Sequence, residues 1–294
     1  VASEDKSASK TSGIIKASVT VNTEDSDTNS TSVSRRLRFS CGAFAIPHPD
    51  KQAKGGEDAY FVNSKLDVVG VFDGVGGWAS LGIDPKLYSQ KLSALTAHKI
   101  NQYGAKFIMK ALSEAVDENE HIGSSTACVV SLSEEGTLSG LNLGDSGVMV
   151  VRNSEAIYRS VDQQHYFNCP YQVGSDSADS IEEDSGIIQV NLQDGDWVVV
   201  GTDGLFDNCF AEDIVSEISW HEQKRPPGKF DPEYLAESVA RLAFSFAMDT
   251  RRDTPFAVNA RQSGHHYIGG KMDDITCIIC RVMLNENYKK NSEL

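Results

Sequence analysis

At 294 residues, with 40% hydrophobic and 23% charged residues, the chain has an ordinary globular composition and can bury a sizeable core. Its formal net charge of −15 argues against a nucleic-acid partner, because a phosphate backbone would be repelled rather than neutralised. No apolar run approaches the roughly 18 residues that a membrane-spanning helix needs, so an integral membrane protein is not expected. The chain opens at Val1 without an initiator methionine, so any cleavable targeting peptide is expected upstream.

Residues 1–34 are rich in Ser, Thr, Asp and Lys, and 22–34 carry almost nothing apolar, which predicts a flexible tail. The Asn29-Ser30-Thr31 sequon there is read as chance. A single domain is expected over 35–285, with a short C-terminal tail at 286–294. The apolar run 68–72 predicts a buried strand ending on Asp73. Asp84-Pro85 starts a helix, Asp as the cap and Pro at the first helical position, with Tyr88, Leu92 and Leu95 at helical spacing. A second helix is predicted over 105–121, ending near Gly123. A meander of strands follows at 125–132, 138–143, 148–152 and 156–160, then an irregular acidic stretch. A strand at 197–200 runs into Thr202-Asp203. Asp231-Pro232 starts a third long helix with Leu235, Val239, Leu242 and Phe246 on one face, and 275–282 closes the domain as a strand. Hairpin-length links between sequential strands favour an α+β fold, antiparallel sheets packed together with helices outside, over a doubly wound parallel sheet.

The six cysteines, Cys41, Cys128, Cys169, Cys209, Cys277 and Cys280, are scattered among apolar residues, the pattern of reduced, buried, intracellular thiols. Cys277 and Cys280 have CxxC spacing. On a strand, however, positions i and i+3 face opposite sides, and no second CxxC exists to complete a zinc site.

Acidic residues beside glycine recur where strands run out: Gly56-Glu57-Asp58, Asp73-Gly74-Val75-Gly76-Gly77, Gly144-Asp145-Ser146-Gly147, Thr202-Asp203-Gly204 and Gly270-Lys271-Met272-Asp273-Asp274. Each Asp-Gly pair alone is also a favoured turn dipeptide. As a set they read differently, because each Asp is expected to end a buried apolar strand instead of sitting at a polar hairpin tip. Two unit charges ~4 Å apart repel by about 4 kcal/mol at an effective dielectric of 20, so carboxylates converging at one sheet edge call for bound cations. Hard divalent ions suit oxygen ligands.

In order along the chain, Glu57-Asp58-Ala59-Tyr60, Val71-Phe72-Asp73-Gly74-Val75-Gly76-Gly77-Trp78, Leu143-Gly144-Asp145-Ser146, Gly201-Thr202-Asp203-Gly204-Leu205-Phe206-Asp207 and Gly270-Lys271-Met272-Asp273-Asp274-Ile275-Thr276 resemble the type 2C, or PPM, family of Mg/Mn-dependent Ser/Thr protein phosphatases. The resemblance covers roughly 38–283. Pro47-His48-Pro49 and Phe167-Asn168-Cys169-Pro170-Tyr171-Gln172 look like the organellar branch, which includes mitochondrial members and a chloroplast phosphatase of photosystem II core proteins. The resemblance implies a central β-sandwich with helices on both outer faces. It also implies two Mn2+ or Mg2+ ions with a weaker third, phosphoprotein substrates, and an organellar location with chloroplast favoured over mitochondrion. A monomer is expected. By the same resemblance Asp73 bridges the metals, Asp203 and Asp273 complete one site, and Glu57 and the Gly74 carbonyl serve the other. Asp58 sits at the cluster's edge, and Asp145 and Asp207 match the third-metal positions. Asp73, Asp203 and Asp273 are the residues expected to be catalytic.

Two departures matter. Many members carry a histidine after the Asp-Gly of the second motif as a proposed acid for the leaving alcohol, and here it is Val75. Many place a phosphate-binding arginine four residues before the Glu, and here it is Ala53, with Lys54 the nearest cation for that role. His48, His165 and His265-His266 are read as structural or surface residues, and Trp78 as packing. The polar segment 161–185 falls where the family carries a flap beside the active site. The alternatives are a metal-holding pseudophosphatase that captures phosphoproteins, favoured only by Val75 and Ala53, and a metal-dependent phosphodiesterase, which sits badly with the charge and the motif order.

Overall fold

Unbroken apolar runs in the central strands, buried on both faces, decide the architecture. The computed structural model describes residues 36–226 and 228–285; the expected tails at 1–34 and 286–294, and the Asn29 sequon, lie outside the described residues. The elements that build the fold are, in chain order, β1 (Leu37–Ile46), β2 (Asp58–Asn63), β3 (Val68–Asp73), α1 (Pro85–Tyr103), α2 (Ile108–Asp117), β4 (Ala127–Leu132), β5 (Thr137–Leu143), β6 (Gly147–Arg152), β7 (Glu155–Arg159), β8 (Gly186–Asn191), β9 (Trp197–Gly201), α3 (Ala211–Lys224), α4 (Pro232–Ala247), α5 (Pro255–Gln262) and β10 (Ile275–Leu284).

They form two five-stranded antiparallel sheets, in the orders β1-β10-β9-β6-β7 and β8-β5-β4-β3-β2. The sheets pack face to face through Val69, Val71, Val130, Val150, Val198, Val200 and Ile278, among others. Helices cover both outer faces. Tyr88, Leu92 and Ile100 of α1, with Ala111 and Leu112 of α2, pack on one sheet. Ile214 and Ile218 of α3, with Leu235 and Val239 of α4, pack on the other. A strand buried on both faces reads as a continuous apolar run. Along β10, Cys277 and Ile279 face the helices while Ile278 and Cys280 enter the sandwich interior, so the two CxxC thiols do diverge.

The helix starts follow the predicted caps. The Asp84 carboxylate accepts from the Lys86 N–H before Pro85, and the Asp231 carboxylate accepts from the Tyr234 N–H before Pro232. The predicted helix 105–121 is shorter: Ala105–Phe107 is a 3-10 turn and the α-helix ends at Asp117. The 161–185 segment is not irregular. It holds a small hairpin of Gln164–Tyr166 with Cys169–Pro170, a bridge strand Val173–Gly174 paired to Ser124–Ser125, and a helical turn at Ile181–Asp184.

One histidine belongs to the packing. His221 of α3 is buried between Trp197 and Tyr234, and neither ring nitrogen has a hydrogen-bond partner among the described residues. Burial, with the Arg225 charge beside it, holds its pKa below the ordinary value. A base that resists protonation only when folded leaves stability whole above its unfolded pKa of about 6.5 and erodes it as pH falls below that. His221→Leu is therefore expected to flatten the fall in melting temperature between pH 7 and pH 5 relative to the parent. Parallel curves for the two proteins would contradict this.

Candidate active site

Strand register brings the five acidic motifs to one end of the sandwich. Asp58, opening β2, pairs directly with Asp73, closing β3. The Thr126 N–H donates to the Asp73 carbonyl, and β4 pairs Ala127 with Leu143, so the chain leaves β5 into Gly144-Asp145 at this same end. Gly201, at the end of β9, pairs with Gly147 and with Cys277, which places Asp203 and Asp273-Asp274 there too. Asp58 and Asp273 thus precede strands instead of ending them. Close approach is possible only through glycine at two points: a Cβ on Gly204 would lie 1.9 Å from the Asp274 carbonyl oxygen, and one on Gly74 would lie 2.9 Å from the Glu57 and Pro85 carbonyl oxygens.

The carboxylates are held on one side and bare on the other. Asp58 Oδ2 accepts hydrogen bonds from the Thr202 and Thr276 hydroxyls at 2.8 and 2.7 Å. Asp145 Oδ2 accepts from Gln164 Nε2 at 2.9 Å. The oxygens Asp58 Oδ1, Asp145 Oδ1 and Asp203 Oδ1 are buried with no hydrogen-bond partner among the described residues. Burial, then the charges of neighbouring carboxylates, pushes Asp58, Asp73 and Asp145 well above the usual carboxylate range. Burial raises Asp273 as well, with the Asp203 charge adding to it. Asp207 is pushed up to about 7 by burial, against the opposing pull of Lys271. Asp203 is the exception: although burial pushes it up, the charge and hydrogen bond of Lys271 hold it below the ordinary value.

Lys271 lies inside the last acidic motif, and its role is visible only in the fold. Its ammonium contacts Asp203 Oδ2 and lies 2.8 Å from Asp207 Oδ2 and 3.2 Å from Asp273 Oδ2. The buried Asn208 side chain pins its backbone by accepting from the Lys271 N–H and donating to the Lys271 carbonyl. As the side chains stand, no three of the described His, Cys, Asp or Glu residues close around a point as one ligand set. The lysine is one positive charge among them, and a cation at Asp203 and Asp273 would take its place.

Asp274 was likewise missed. It accepts from the backbone N–H groups of His48 and Glu57 at 2.6 and 2.7 Å, and so fixes the loop that carries Glu57. Lys51 Nζ, 2.5 Å from Glu57 Oε2 and 3.5 Å from Asp274 Oδ2, is the second ammonium of the cluster. Lys54, the expected phosphate contact, instead lies 3.6 Å from Asp84 with its side chain 71% exposed, a loose surface pair. Trp78 is half-buried, donating from Nε1 to the Ser124 hydroxyl at 2.6 Å. His48 Nδ1 accepts from the Asp50 N–H at 3.1 Å, and His265 stacks on Phe167. His165, exposed as expected of a surface residue, also lines a cavity of about 360 Å3 together with Val75.

A scan against models of known protein families matches none. Individual relatives are decisive. The relative named "Probable protein phosphatase 2C 26", of Arabidopsis thaliana, is 36% identical over 263 residues, 84% of this chain and 85% of that one. The chain belongs to the protein phosphatase 2C family. A second Arabidopsis thaliana member, "Probable protein phosphatase 2C 80", is 37% identical over 262 residues; the match takes in 88% of this chain, which spans 62% of that relative's length. Among solved structures, an X-ray structure of the photosystem II phosphatase PBCP superposes with a TM-score of 0.76 at 34% identity, covering 83% of this chain and 98% of that one. The β-sandwich with helices on both faces is thus the phosphatase 2C fold, as the motifs implied.

Proposed function

We propose that the chain hydrolyses phosphoserine and phosphothreonine in proteins, using Mn2+ or Mg2+ held by the acidic cluster. The observation that carries this reading is the convergence of carboxylates at one end of the sandwich, three of them with buried oxygens that no group among the described residues satisfies. Oxygen-only donors of this kind suit hard divalent cations. Two such ions, when bound, supply Lewis-acid chemistry that polarises a phosphoryl oxygen and makes water nucleophilic near neutral pH.

Asp73 would serve both ions, Asp203 and Asp273 one, and Glu57 with the Gly74 carbonyl the other. Asp145 and Asp207 would flank a weaker third. Thr202 and Thr276 hold the Asp58 carboxylate in a single orientation, which fixes the edge of the cluster before substrate arrives. Asp274 does the same for the Glu57 loop. Lys54, at the rim, is free to leave Asp84 for an incoming phosphate.

The finer assignment is to phosphoproteins of an organelle, chloroplast before mitochondrion, with photosystem II core proteins as one substrate class. Its support is the 34% identity to a structure described as a photosystem II phosphatase. The test is phosphate release from phosphoserine and phosphothreonine peptides beside a phosphodiester control. Turnover on the order of 1 s−1 or faster on the peptides alone is expected. Tight peptide capture without release would instead support a pseudophosphatase, and cleavage of the diester alone would support a phosphodiesterase.

A further inference from the structure

With valine after Asp73-Gly74, the reaction lacks an acid at that position, yet a phosphoserine or phosphothreonine alkoxide is a poor leaving group. The cavity beside Val75 is also lined by Trp78, Leu81, Gln172, Asp179 and His165. Ser124 laces two parts of its wall together, and the hairpin beside it reaches the cluster. The Val75 N–H donates to the Ser124 carbonyl at 3.0 Å, and the Ser124 hydroxyl donates to Gln172 Oε1 at 2.6 Å. On the hairpin that carries His165, the adjacent Gln164 donates to Asp145.

Within that cavity His165 is held as an oriented ring. Its Nε2 lies 3.0 Å from Asp179 Oδ2, and Asp179 is itself fixed by the Gln172 N–H at 2.9 Å. The ring stacks on Tyr171 with centroids 4.3 Å apart. The His165 side chain is 45% exposed against 8% for Asp179, so a buried carboxylate orients an imidazole open to the cavity and to solvent. Nδ1 is not engaged by Asp179.

We infer that His165, positioned by Asp179, is the general acid that protonates the leaving seryl or threonyl oxygen. A new P–O bond forms from the attacking water as the bond from phosphorus to the side-chain oxygen breaks. The electron pair of the broken bond passes to that oxygen, which takes the proton of the His165 imidazolium. The products are the free hydroxyl, inorganic phosphate and a neutral ring, and the ring regains its proton from solvent while the water's proton leaves with phosphate. This inference rests on the hydrolase reading above.

The test is the dependence of kcat/KM on leaving-group pKa, measured with a phosphothreonine peptide and a series of aryl phosphates, for the parent, His165→Gln, Asp179→Asn and His165→Gln/Val75→His. A positioned acid is worth about 10²–10⁴-fold on a poor leaving group. His165→Gln should lose that much on the peptide and progressively less as the aryl leaving group improves, steepening the slope. Asp179→Asn should steepen it less, and adding Val75→His should restore part of the loss. Mn2+ affinity of each variant, measured by electron paramagnetic resonance, should match the parent. Equal losses across all leaving groups, or an unchanged slope in a variant that binds Mn2+ normally, would overturn the assignment. Should His165→Gln fail to fold, the slope of Asp179→Asn alone decides between the two. A parent that hydrolyses neither class with metal would fail the hydrolase reading instead.

Discussion

Replacing Asp73 by asparagine is expected to lower kcat/KM by about 10²–10³-fold or more, the scale on which single electrostatic contacts act in a reaction centre, while leaving the metal-free fold as stable as the parent or more so. The Asp73 carboxyl is partly buried and faces the charges of Asp203, Asp58, Asp273 and Asp145. Asparagine keeps its shape and removes its charge, so the metal-free protein loses repulsion and little packing. Thermal melts in chelator should therefore show an equal or higher midpoint for the variant. In Mn2+ the order should reverse, because ligand binding stabilises the parent by about 2.7 kcal/mol at a hundredfold excess over Kd. A variant that turns over normally would show that Asp73 is not a metal ligand.

Lys271→Met should have the opposite signature. The ammonium contacts Asp203, Asp207 and Asp273 from a nearly buried position. Removing one partner from a buried ionic group typically costs about 3–5 kcal/mol. The metal-free variant should then melt about 6–12 °C below the parent at the lower bound of that cost. Saturating Mn2+ should close most of the gap, since a cation would then neutralise the same carboxylates. Mn2+ should also bind the variant more tightly, because it no longer displaces a lysine. Identical metal-free melting temperatures would mean that Lys271 contributes nothing to holding the cluster.

Which parts of this site were legible in the sequence follows from what each residue does. The acidic motifs announced themselves because strand-flanking Asp-Gly steps are local patterns, and so did α1 and α4, whose Asp-Pro starts are local caps. The two-sided burial of β3, β9 and β10 was equally plain from their unbroken apolar runs. What escaped depends on partners remote in sequence. Asp274 reaches back more than two hundred positions to the His48 and Glu57 amides. Lys271 reaches Asp203, and nothing in the local sequence distinguishes it from a solvated lysine. The hairpin of His165 reads as irregular in sequence, because strands of two or three residues carry too little pattern to predict. Edge strand β8, largely exposed, escaped for a similar reason.

The central claim, that the carboxylate cluster works through bound divalent cations, is tested most directly by phosphate release from a phosphothreonine peptide. The protein is first stripped with chelator and then titrated with Mn2+. The account predicts no release above background in chelator and full recovery as Mn2+ is added. Undiminished turnover in metal-free buffer would contradict it.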